Sequence, residues 1–319
     1  MKSMKNTLNK QKWELLGGLA LLAIFVVPFL TFASSRNHIY VDASANGTQN
    51  GSIGNPYATI SEALVHANDR SDVHVAKGIY EDNIEIPKGV KIFGSDVDEV
   101  IVRAKSSRKV VVSMKDNTEI NKLTIEKGRE GVWVKNNSKV SIIKCVIKNN
   151  DRDGIKIGEG STGKKEAVSI TDSKIKDNGR SGIYSQKHRL VLMNNEISGN
   201  DSDGVDIAKG SSAWIEGNSI KDNRTGMKLV LDGSDIWTKN NTFRSNKLSG
   251  LEVNAFGKSG RIDFNKAKFI DNKKFGVARN ARADFSASIW NGLTVNDNSD
   301  FISNNSGNVS GINWMQDTN

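Results

Sequence analysis

Cysteine is almost absent from this 319-residue chain. The single Cys145 has no intrachain partner, so a disulfide framework and metal spacing of the CxxC kind are both excluded. Histidine is scarce too: His38, His66, His74 and His188 form no HExxH-like pair, so neither a metal site nor a cofactor is expected. Aromatic residues make up only 7%, and there are three prolines against 29 glycines. Charge is missing altogether from Leu15 to Ser35, a run long enough to cross a bilayer.

Lys2, Lys5, Lys10 and Lys12 precede that run, which favours a cytoplasmic N-terminus and an exported remainder. The expected organisation is a cytoplasmic tail over 1–12, a transmembrane signal-anchor over 13–35 and one large domain over 36–319. A cleaved signal peptide is the alternative, because Thr31-Phe32-Ala33 loosely resembles a small-x-small cleavage site. Either way, most of the chain lies outside the cytoplasm or at the cell surface. The formal net charge is +9, a mild balance that suits an anionic polymer or surface; no nucleic-acid partner is expected.

What the chain does contain is a repeat of about 23 residues. Units begin at Ile147 (IKNNDRDGIKI), Ile175 (IKDNGRSGIYS), Ile197 (ISGNDSDGVDI), Ile220 (IKDNRTGMKL), Phe243 (FRSNKLSGLEV) and Phe269 (FIDNKKFGVAR). Each has an apolar residue, an asparagine three positions on, a glycine, and then an alternating strand; a second strand precedes each unit. Strands this short cannot bury a face alone, so successive rungs must stack into a solenoid. Asn150, Asn178, Asn200, Asn223, Asn246, Asn272 and Asn304 should form a ladder, since asparagine tolerates left-handed turns and stacked amides satisfy one another. Cys145 shares a related column with Asn195, Asn218 and Asn241 and reads as a buried filler. Near the start, Thr59 and Glu62 are spaced as a capping box, ahead of an apolar face of Ile60, Ala63, Leu64 and Ala67. This predicts a helix covering the open end of the first rung. After Asn280 the period weakens, and irregular capping is expected to Asn319.

The opening "YVDASANGTQNGSIGNPYATISEALVHANDRSDVHVAKGIYEDNIEIPKGVKIFGS" and the I-x-x-N-x-x-x-G-I-x-I rungs resemble right-handed parallel β-helix proteins of the pectate-lyase-like superfamily. The resemblance covers about residues 38 to 305. It implies an all-β, right-handed parallel β-helix with an N-terminal capping helix, following the N-terminal transmembrane helix. It does not specify a reaction, because lyases, hydrolases, epimerases, esterases and adhesins share the scaffold. "NDSDGVD" resembles a polygalacturonase segment and would carry a role onto Asp203. The next rung reads "RTGMK", so the further carboxylates those enzymes need are missing there. Asp203 then reads as a turn residue and Asp206 as an outward strand residue.

Two aligned columns say more. Two positions before each glycine stand Arg129, Arg152, Arg180, Ser202, Arg224, Leu248 and Lys274, five of seven basic. Two positions after it stand Trp133, Lys156, Tyr184, Asp206, Lys228, Glu252 and Ala278, turned outward by strand alternation. In the families resembled, this strand lines the substrate groove. Arg129, Arg152, Arg180, Arg224, Trp133, Asp203 and Asp206 are therefore candidate substrate-binding residues for an acidic polysaccharide or cell-surface glycan. A solvated mixed-charge face is the plain alternative. If there is catalysis, a polysaccharide lyase suits the residues: Lys156 or Lys228 as base, Tyr184 as proton donor, and Arg180 or Arg152 to neutralise the substrate carboxylate. Trp214 and Trp237 should stack on adjacent rungs of another face. They would serve a sugar or partner, or be covered by the C-terminal segment with Trp290 and Trp314. The competing class is a non-catalytic surface adhesin or scaffold.

Overall fold

The computed structural model describes residues 36–160, 167–281, 287–295 and 298–310. Within them the chain winds through parallel sheets of eleven, ten and ten strands. One turn of the winding shows the plan. Strand Arg189–Met193 belongs to the first sheet, Glu196–Ser198 to the second and Asp203–Ile207 to the third. Each pairs in parallel with its equivalent one rung earlier and one rung later. At about 4.8 Å per rung, the first sheet extends roughly 48 Å.

The core follows from the alternation. In Arg189–Met193, Leu190 and Leu192 are buried while the residues between them are partly exposed. Second-sheet strands are so short that one inward residue each suffices. Stacking puts Ile125, Ile147, Ile175, Ile197, Ile220, Phe243 and Phe269 in one buried column. From Phe243 onward the column is aromatic, with Phe243–Phe269 and Phe269–Phe301 ring centroids 5.0 and 4.9 Å apart.

The corners are equally regular. Between the second and third sheets, Asn149, Asp177, Gly199, Asp222, Ser245, Asp271 and Ser303 all adopt positive φ. The asparagine that follows each points inward. Its Nδ2 donates to the Oδ1 of the next rung at 2.9 Å for Asn150→Asn178, Asn178→Asn200, Asn200→Asn223 and Asn246→Asn272, and at 2.8 Å for Asn272→Asn304. The left-handed geometry thus falls on the residue before the ladder, not on the ladder asparagines as their type suggests. The amides satisfy the sharp corner's backbone, which would otherwise be buried without partners. A second ladder lies at the other corner: Asn195→Asn218 and Asn218→Asn241 bond at 3.0 and 2.9 Å. It runs out at Ser173, whose hydroxyl accepts from the Cys145 N–H at 3.1 Å. Glycine after the ladder is needed for close approach. A Cβ on Gly204 would lie 2.5 Å from the Gly226 carbonyl and 2.8 Å from Asn223 Nδ2.

Helix α1 (Ile60–Val65) stands where the sequence places one. Thr59 Oγ1 accepts from the Glu62 N–H at 3.1 Å, and α1 touches strands Asn37–Val41, Ser71–Val75 and Ile84–Ile86. At the far end the expectation of irregular capping is corrected for the described residues as far as Ser310; residues 311–319 lie outside them. Strands Leu293–Val295, Asp300–Ile302 and Gly307–Val309 add one more rung to the three sheets. Among the described residues no helix is long and apolar enough to cross a membrane. The tail, the expected anchor over 13–35 and Trp314 lie outside them.

Candidate functional site

The outer face of the third sheet collects most of the sequence candidates. Register places Trp133, Lys156, Tyr184, Asp206 and Lys228 on five consecutive rungs at one outward position. Glu252 and Ala278 continue the column. Beside it a backbone ladder stacks the basic positions: Arg152 N–H donates to Arg129 O, Arg180 to Arg152 O, Ser202 to Arg180 O and Arg224 to Ser202 O. The four arginines are exposed. Among the described residues, Arg129 pairs with Glu130 at 2.7 Å and Arg180 reaches Asp153 at 4.0 Å, whereas Arg152 and Arg224 have no carboxylate within 4.0 Å. The carboxylates of both pairs are buried, but the Arg129 and Arg180 side chains stay 45% and 59% exposed, so all four guanidinium groups remain accessible to a polyanion.

A third column, the residue just before each glycine, lies buried between the other two. It runs Glu130, Asp153, Ser181, Asp203 and Thr225, all under a tenth exposed. Asp203 is therefore no solvated turn residue. Burial pushes its carboxyl up, against the nearby Lys228 charge and a hydrogen bond from Thr225. Asp153 is pushed up likewise by burial, although Arg180 and the Ser181 N–H at 3.2 Å favour its charge. Asp206 goes furthest. Burial, followed by repulsion from Asp203, Asp153 and Glu252, carries it up to about 6 despite Lys228. The Tyr184 phenol is raised too, first by burial and then by Asp206 and Asp153. The arrangement is a basic rim around a crowded acidic floor, with Asp206, raised to about 6, able to exchange a proton near neutral pH.

Trp214 and Trp237 do not join this site. They pair on adjacent rungs of the first sheet, as the period predicts. Trp214 Nε1 donates to Glu216 at 3.1 Å, and the Arg261 guanidinium sits 3.9 Å from the centre of the Trp237 ring. Trp290 is buried with the core cluster. Sequence reasoning missed Asp153 and Glu130. The available signal was their alignment with Asp203, hidden because Ser and Thr fill the same column on alternate rungs. Among the described residues no cluster of three metal-ligating side chains occurs.

Comparison with known proteins bears on the scaffold. Residues 161–318 match the family model described as "Right handed beta helix region". Among solved structures, a pectate lyase is similar over 83% of this chain and 82% of its own, at 14% identity and a TM-score of 0.59. The A-module of an Azotobacter vinelandii mannuronan C-5 epimerase is similar over 79% of this chain and 94% of its own, at 15% identity and a TM-score of 0.50. At such identities the likeness is one of fold. No curated protein matches the sequence.

Proposed function

Because this chain is a right-handed parallel β-helix repeat protein, we propose that its third sheet forms a groove for an acidic polysaccharide. One observation carries the reading: an unbroken backbone ladder holds Arg129, Arg152 and Arg180 on successive rungs and, beyond Ser202, Arg224, and two of the four have no carboxylate partner among the described residues. A polyuronate lying along the rungs would meet a guanidinium at nearly every step. The fold neighbours named as a pectate lyase and a mannuronan epimerase support the same substrate class.

The groove residues suit β-elimination. Lys156 or Lys228 takes the proton α to the uronate carboxyl, Arg180 or Arg152 offsets the charge that develops, and Tyr184 returns a proton to the leaving oxygen. Asp206, between Tyr184 and Lys228, is a further proton acceptor suited to neutral pH. We place the shaft outside the cytoplasm, held by an anchor over 13–35, with α1 shielding its first rung. The second reading, a non-catalytic adhesin or scaffold, is favoured by the paired Trp214 and Trp237 on a separate sheet.

The test uses polyuronate oligomers. Replacing Arg152, Arg180 and Arg224 together by alanine should weaken binding and flatten its salt dependence. Tyr184→Phe should stop formation of unsaturated, ultraviolet-absorbing ends while binding persists. A wild type that binds uronans without making new ends would favour the adhesin reading; one that binds none would refute the groove.

A further inference from the structure

The outer face of the first sheet differs in composition from the rest of the shaft. Strands Val140–Ile143, Ala167–Thr171, Arg189–Met193 and Ser212–Glu216 follow one another there. Alternation turns Ile143, Ser169, Thr171, Val191, Met193 and Trp214 outward, each partly buried. Among the outward residues of these four strands only Arg189 and Glu216 are charged. On the same rungs the second sheet turns out Lys148, Lys174, Lys176, Glu196 and Lys221. Charge is thus depleted on one face of a chain in which 25% of residues are charged.

Beyond this patch charge returns as closed pairs. Toward the N-terminal end Lys91 meets Glu119 at 3.3 Å. Toward the C-terminal end Lys239 meets Glu216 at 3.6 Å and Arg261 meets Asp263 at 3.0 Å. Arg261 also lies over the Trp237 ring, which holds that indole beside Trp214. A centre poor in charge, with tryptophan and methionine, and a polar rim around it are the anatomy of a protein–protein interface. A tryptophan fixed in place is a typical anchor of one.

Charge and area point to a second copy of this chain as the partner. The chain is net positive, so two copies repel one another except where their charges are already matched. The rim pairs of this face are matched within each copy. Strands of five residues make the face about 17 Å wide, and the sheet is roughly 48 Å long. Contact along it would bury about 800 Å² on each copy, or about 1,600 Å² in all, which is the size of a standard specific interface. A two-fold arrangement uses the same patch twice and is the commonest association of identical chains.

We infer that the protein forms a two-fold dimer through the outer faces of its first sheets, with Ser169 and Val191 at the centre of the contact. The arginine column belongs to the third sheet and takes no part in it.

The test uses the full-length protein in mild detergent, followed by analytical ultracentrifugation. The wild type should sediment as a dimer. Val191→Lys sets two ammonium groups against each other at the centre and should weaken dimerisation at least tenfold, with the far-ultraviolet spectrum unchanged because the position faces outward. Mixing Val191→Lys with Val191→Glu should restore dimers, since opposite charges then meet. A short bismaleimide should join Val191→Cys to its counterpart but not Ser198→Cys on the second sheet, and buried Cys145 stays out of reach in both. The variant lacking Arg152, Arg180 and Arg224 should dimerise as the wild type does. The inference is overturned if the wild type is monomeric at about 100 µM, if folded Val191→Lys dimerises undiminished, or if Val191→Cys links no better than Ser198→Cys. A monomer whose binding to chitin or cellulose is lost in Val191→Lys would assign the face to a neutral glycan and overturn it equally.

Discussion

Replacing Asn223 by leucine removes one amide from the middle of the longer ladder while nearly conserving side-chain volume. In the native chain its Oδ1 accepts from the Asn200 N–H at 3.0 Å and from Asn200 Nδ2 at 2.9 Å, and its own Nδ2 donates to the Ile197 carbonyl at 3.0 Å. Both asparagines are fully buried. Leucine offers none of these bonds. The Asn200 Nδ2 keeps the Ile175 carbonyl at 3.3 Å, but the Asn200 N–H is left buried without its acceptor. An orphaned buried donor costs about 1–3 kcal/mol and each further lost bond about 1 kcal/mol, so the total should be roughly 3–5 kcal/mol. Urea denaturation followed by far-ultraviolet circular dichroism measures it, and Asn136→Leu, at an exposed position, is the comparator, expected within about 0.5 kcal/mol of the wild type. Amide exchange gives a local readout: the Asn200 N–H should lose protection. A loss below about 1 kcal/mol, or an Asn200 amide as protected as before, would refute the assigned role of the ladder.

The Asp206 carboxyl titrates at about 6 in the folded chain against an ordinary value of 3.8. A raised carboxyl favours folding below about pH 4, and that contribution is lost as pH rises through about 6. Asp206→Asn should therefore stabilise the protein at pH 7.5 by about 1–3 kcal/mol and change little at pH 4, read from urea midpoints; an equal gain at both pH values would count against a buried, repelled carboxylate. Cys145 is buried, and burial pushes its thiol up to about 12. It should resist aromatic disulfide reagents in the native protein and react stoichiometrically in urea, and rapid native labelling would contradict its place in the corner column.

The solenoid was legible because every rung restates the same constraints. Inward isoleucines, a corner asparagine and a close-approach glycine recur together, so one correct register fixes all the others. Legibility failed where a rung departs from the pattern. The spacing from Asn272 to Asn304 is 32 residues, against 22 or 23 in the middle rungs. The 3₁₀ helix Ala287–Gly292 falls inside that longer interval, and the added residues conceal a complete last rung. Asn254 lies outside the ladder, as its position predicts, yet it is buried and bonded to Glu252 and Asn280. The third-sheet strands there run longer, to Ala255 and Ala281, so that Asn280 stacks on Asn254 beside Glu252 and covers it on the outer face. On the third sheet, the exposed arginines declared themselves by repetition. The acidic floor did not, because Asp153 and Asp203 acquire their character from burial, which spacing alone does not reveal.

The inter-rung hydrogen bonds of all three sheets point along the shaft, and the described chain enters at one end and leaves at the other. Tension applied between the ends therefore loads those bonds in series, one rung after another, rather than shearing many at once. The shaft should yield from its ends by peeling, each detached rung releasing a length of slack chain while the rest stays wound.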